Sequence, residues 1–135
     1  MLNLSHRHRR SILVLAAAIF PLSGGAMACE NWDLGDSFKF TQANGAFVSV
    51  RNIDVNGSRF EASAKDTSSG VRGDLSGSIS SDGRFKFTIE WDNGSIGLYT
   101  AHIDQSGEVL DGRTYDKTNP SSWSTWRMRP ISCND

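Results

Sequence analysis

The sequence is poor in the residues that do chemistry. Two of its three histidines, His6 and His8, fall in the first ten residues, leaving His102 alone in the remainder. A Ser-His-Asp triad needs a histidine base beside a nucleophile, and no nucleophile signature surrounds His102. With one histidine and two cysteines, the ligand sets that usually hold a metal are missing. The glycines sit in turn-like clusters with no helical pattern behind them, which excludes a phosphate-binding loop. Paired carboxylates, Asp111 with Asp116 and Glu90 with Asp92, remain as acid–base candidates, but strand and turn carboxylates are ordinarily solvated. The expectation is a protein that is not an enzyme, with no catalytic residues, no cofactor and no metal site.

Long hydrophobic runs are also absent. The longest, Ile12 to Phe20, is about half of the roughly 20 residues a membrane-spanning helix needs. It follows Arg7, Arg9 and Arg10 and precedes Ala26-Met27-Ala28, the order of a secretory signal peptide with an A-x-A cleavage site. Residues 1–28 are therefore assigned as signal peptide and 29–135 as one secreted or periplasmic domain. Removing the three leader arginines from 14 Lys+Arg leaves 11 basic against 15 acidic residues, a formal charge of −4. That balance gives no nucleic-acid footprint, and no amphipathic or polybasic segment suggests membrane insertion after cleavage.

What the chain does have is rhythm. Glycine-bearing turn signals recur at Asn44-Gly45, Asn56-Gly57, Ser69-Gly70, Asp82-Gly83, Asn93-Gly94 and Ser106-Gly107, with a seventh break at Lys117-Thr118-Asn119-Pro120. Asn-Gly and Asp-Gly supply the positive φ of two-residue hairpins, and seven turns separate eight strands. Phe85, Phe87, Ile89 and Trp91 alternate with Arg84, Lys86, Thr88 and Glu90; Phe60, Ala62 and Ala64 alternate with charged or small polar residues. The later strands are less regular. Neither face of Val109–Tyr115 is purely apolar, and Trp126 and Met128 share a face that Trp123 does not.

The fold class follows: all-β, an eight-stranded antiparallel up-and-down barrel. In a closed meander of eight strands the first and last are neighbours, which places Cys29 and Cys133 within reach of a disulfide tying the N- and C-terminal segments. Lipidation of Cys29 is the alternative, although Ala26 and Met27 stand where a lipobox has Leu and a small residue. The interior holds bulky Phe38, Phe40, Phe60, Phe85, Phe87 and Trp91 against small Ala62, Ala64, Gly73 and Gly77, an asymmetry that fits either a filled core or a side pocket.

The segment from Trp91 to Trp126 is the densest in aromatic and hydrogen-bonding side chains. Trp91, Tyr99, Tyr115 and Trp126 are candidate ligand-binding walls, with Arg113 or Asp111 as polar anchor. The same residues serve equally as barrel filling with polar tips at a rim. Asn56-Gly57-Ser58 and Asn93-Gly94-Ser95 match glycosylation acceptors, yet turn geometry accounts for both.

Trp32-Asp33-Leu34-Gly35-Asp36-Ser37-Phe38 resembles the opening strand of avidin and streptavidin-type barrels, and Phe87-Thr88-Ile89-Glu90-Trp91 is similar to their Trp-bearing fifth strand. The resemblance implies the eight-strand meander and carries over by position to Ser37 and Trp91. The family's Asn after the first Trp and its late Trp-Lys and Asp are absent here, so biotin is not implied. The Trp91–Trp126 stretch is also similar to a segment of bacterial secreted proteins to which no activity attaches. The functional expectation is a non-catalytic binding protein whose barrel holds a small molecule or glycan; the alternative is a protein-binding module such as an inhibitor of an extracellular hydrolase.

Overall fold

In the computed structural model, which describes residues 29–134, the turn signals close hairpins of mostly three residues rather than two. At Asp92-Asn93-Gly94, the Gly94 amide donates to Trp91 O at 2.9 Å and the Trp91 amide to Ser95 O at 2.9 Å. Gly94 holds φ at +93°, the left-handed position that ends a three-residue loop. Gly57-Ser58 is the two-residue case among the glycine-bearing turns, with Asn56 paired to Arg59. The rhythm is the expected one and the turn type differs, because glycine takes the last loop position and not the middle of a tighter turn. The expected signal peptide lies outside the described residues.

Ten strands result: β1 (Trp32–Asp33), β2 (Ser37–Gln42), β3 (Phe47–Asn56), β4 (Arg59–Asp66), β5 (Arg72–Ile79), β6 (Arg84–Trp91), β7 (Ile96–Ile103), β8 (Val109–Asp116), β9 (Asn119–Met128) and β10 (Ser132–Cys133). Strands β2 to β9 pair in sequence order, and β2 returns to β9 to close an antiparallel barrel. The closing contact is short, running Phe40 to Met128, Thr41 to Arg127 and Gln42 to Trp126. Residues Lys117 and Thr118 alone form the seventh turn, and Pro120 lies inside β9. Asp116 organises that turn by accepting the Thr118 amide at 2.9 Å, and proline is tolerated where the β8–β9 register is broken.

Inward residues follow the period-two pattern closely in β4 to β7. Phe60, Ala62, Ala64, Leu75, Ile79, Phe85, Phe87, Ile89, Tyr99, Ala101 and Ile103 are all buried. Two strands change phase part-way. Asn52 and Asp111, the only non-glycine residues with positive φ among those described, both adopt +56° at irregular register. In β3 the inward set moves from Val48 and Val50 to Ile53; in β8 it moves from Val109 to Gly112 and Thr114.

The core is aromatic and closely packed. Phe87 stacks on Tyr99 with ring centres 4.7 Å apart and planes 7° off parallel, while Trp126 meets Phe40, Phe85 and Phe87 at 5.3–5.9 Å. Pairs of this kind contribute about 0.5–1.5 kcal/mol each beyond the area they bury. The small residues on β5 complement this filling. A methyl on Gly73 would meet Ile89 Cγ2 at 2.8 Å and the Trp91 ring at 3.0 Å, and one on Gly77 would meet Phe87 Cβ at 2.4 Å. Large side chains on β6 thus take the interior space beside β5.

One rim is plugged. Cys29 is bonded to Cys133 with Cα atoms 5.9 Å apart, β1 pairs with β10, and Leu34 and Ile131 are buried against the core. Trp32 Nε1 donates to Ser80 O at 3.2 Å, fixing the N-terminal segment to the β5–β6 turn. The sulfur of Cys29 is committed to the disulfide.

Candidate functional site

The opposite rim is formed by the β2–β3, β4–β5, β6–β7 and β8–β9 turns, and it opens into a cup of about 220 Å³. Each of these turns carries an Asn or Asp whose Oδ1 accepts the amide two residues on: Asn44 from Ala46 at 3.1 Å, Asp66 from Ser68 at 3.0 Å, Asn93 from Ser95 at 3.0 Å and Asp116 from Thr118 at 2.9 Å. This local bonding is the reason Asn and Asp recur there. All four residues line the cup.

The floor is polar. Thr114 and Ser124 are buried, face inward and line the cavity beside Tyr99 and Gln42. Tyr99 donates its phenol to Gln42 Oε1 at 2.9 Å. A methyl on Gly97 would lie 2.8 Å from the Tyr99 ring, so this glycine makes the space in which the ring folds back over the strand. Burial, the largest influence, pushes the Tyr99 phenol up to about 12 against the opposing pull of hydrogen bonding with Thr114 and Trp91. It is therefore a neutral hydroxyl under all ordinary conditions.

The carboxylates behave differently. Burial alone would raise Asp66, but hydrogen bonds from Ser68 and Ser69 outweigh it and hold the group below the usual range. Asp116 is lowered mainly by the Thr118 hydroxyl. Both are anionic near neutrality. Neither is held protonated as a general acid would be.

The sequence-derived candidates separate in space. Trp91, Tyr99 and Tyr115 line the cup, Tyr115 at its lip opposite Trp123 in the β8–β9 register. Trp126 is not a wall; it lies below the cup in the core, its Nε1 donating to Arg113 O at 2.9 Å. Arg113 is exposed between inward-facing Gly112 and Thr114, so its side chain is on the outer surface and does not anchor a ligand in the cup. Asp111 is likewise exposed, at the bulge. Ser37 opens β2 at the plugged rim, exposed, and so does not meet Trp91 at the mouth. Sequence reasoning did not single out Asn44, Asp66, Asn93 or Trp123 as site residues, and it named Asp116 only as an acid–base partner of Asp111, which the structure leaves on the outer surface.

A second depression of about 780 Å³ follows the β2–β9 seam below its short pairing, where Phe38, Phe40 and Met128 are bordered by Lys39, Arg127 and Arg129. His102 is exposed on β7, paired to Arg84 near the plugged rim and distant from both cup carboxylates along the barrel. Comparison with protein-family models, curated proteins and solved structures gives no match.

Proposed function

We propose that this is a non-catalytic secreted or periplasmic binding protein that takes a small molecule, or the end of a glycan, into the open mouth of its barrel. The observation that carries this reading is the cup of about 220 Å³ with polar floor, half-buried Trp91 on its wall and a rim of ordered turns. Concave sites of mixed aromatic and fixed polar lining are what small ligands require, and here the lining is set on strands of a packed barrel. The absence of catalysis is supported by the separation of the one described histidine, His102, from the cup. Secretion is supported by the leader pattern and by the disulfide, which persists in an oxidising compartment.

The test is a tryptophan-fluorescence titration of the full-length mature chain against sugars, vitamins, lipids and amines. Saturable change for at least one class, diminished by Trp91→Phe, is expected. A flat response throughout would overturn the reading. The β2–β9 seam favours a second reading as a protein-binding module, since basic side chains there border apolar surface. Loss of a stoichiometric protein partner on Arg127→Glu, with small-molecule binding unchanged, would support it.

A further inference from the structure

We infer that the ligand taken by the cup is an organic cation, an amine or quaternary ammonium, seated between Asp66 and Asp116 beside Trp91. This rests on the reading of the mouth as the binding site and assigns the ligand's chemistry.

Strand order places the two carboxylates. In the closed order β2 to β9, the β4–β5 and β8–β9 turns are four strands apart in either direction, so Asp66 and Asp116 stand on opposite sides of the mouth. Asn44 and Asn93 occupy the two positions between them, giving an alternation of acid and amide around the rim. No Lys or Arg lines the cup. Among the described residues the one ion pair is Arg84 with Asp82, at the other rim. The two rim anions are thus held by neutral donors and not by a protein cation.

The floor has the same polarity. Ser124 Oγ donates to Thr125 O at 3.0 Å and so keeps acceptor lone pairs, while Tyr99 directs its hydroxyl proton to Gln42 and its oxygen is engaged by Thr114 and Trp91. Trp91 adds an indole to the wall, and an indole ring attracts a cation held within about 6 Å of its centre. A bound anion would meet two like charges with no compensating donor cation, whereas a neutral sugar would use the carboxylates only as hydrogen-bond acceptors and leave their charge unused. An ammonium group answers the charge, the acceptors and the aromatic wall together.

The experiment is calorimetric titration of the full-length mature protein with choline, putrescine, glucose and propionate. Binding of choline or putrescine at one site is expected, weakened about tenfold or more by Asp66→Asn or Asp116→Asn, and weakened again between about 20 and 300 mM salt. An asparagine oxygen accepts an amide two residues on as a carboxylate does, as Asn44 and Asn93 show, so these variants should retain the turn hydrogen bond and the fold. Glucose or propionate binding that ignores both substitutions would overturn the cationic assignment and leave the cup as a site. Failure of both amines to bind, while another compound perturbs Trp91, would overturn it in the same way; failure of every compound would overturn both readings.

Discussion

The Tyr99 phenol donates to Gln42 Oε1 at 2.9 Å, joining β7 to β2 between residues 57 apart in sequence. This bond carries the cup's floor across the barrel interior, and its proton is the first feature that pH can test. A tyrosine raised by burial from 10.0 to about 12 is favoured in its neutral form by folding. Stability from this group is complete below about pH 10 and is lost as pH rises through about 12, by up to roughly 3 kcal/mol. Tyr99 and Tyr115 are the only two tyrosines, so Tyr115→Phe leaves a single reporter. Its near-ultraviolet tyrosinate absorbance should rise with a midpoint near 12, and a midpoint near 10 would contradict the burial argument.

Gly112 lets β8 and β9 approach closely. A methyl there would lie 2.1 Å from Trp126 O and 3.1 Å from Trp126 Cδ2. Gly112→Ala forces β8 and β9 apart and should cost about 1–3 kcal/mol in denaturant unfolding, with altered tryptophan emission. An unchanged midpoint would show that the strand adjusts freely.

The Cys29–Cys133 bond encloses residues 104 apart in sequence. Restricting a loop of about 100 residues is worth up to roughly 4.7 kcal/mol through the unfolded chain. The double variant Cys29→Ser/Cys133→Ser should therefore unfold at lower denaturant, by about 2–5 kcal/mol, while its circular dichroism in water remains that of the barrel. Since the cup lies at the far rim, the affinity of any ligand shown to bind there should change little.

Asp111 and Asn52 hold the left-handed conformation on strands, each at φ of +56°. Asp and Asn tolerate this region better than most residues, whereas β-branched side chains do not. Asp111→Val should destabilise by about 1–3 kcal/mol and Asp111→Gly by much less, measured as unfolding midpoints. Equal losses for both would point to the lost carboxylate and not the backbone.

These two bulges also explain which parts of the fold were legible beforehand. Strands β4 to β7 keep one phase from end to end, so Phe60 through Ile103 announce their inward face directly. Asp111 resets the phase of β8, and a fixed period cannot tell that Gly112 and Thr114 face in while Arg113 faces out. Trp126 has the composition of a binding wall, and only its depth below Tyr99 makes it core. The cup's rim was hidden for a different reason. Asn44, Asp66, Asn93 and Asp116 each satisfy a local turn, and nothing local says that four such turns, separated by two strands apiece, share one opening. That neighbourhood exists only once β2 meets β9.

The disulfide-bonded rim gives the barrel a direction. Residues 29 and 134 emerge at one end and the cup opens at the other, so any tether attached through either end of this domain holds the molecule like a goblet by its stem. A surface-immobilised or fused copy would present its mouth outward, with approach unobstructed by the linker. The same polarity means that two copies joined tail to tail would open in opposite directions, each able to fill without crowding the other.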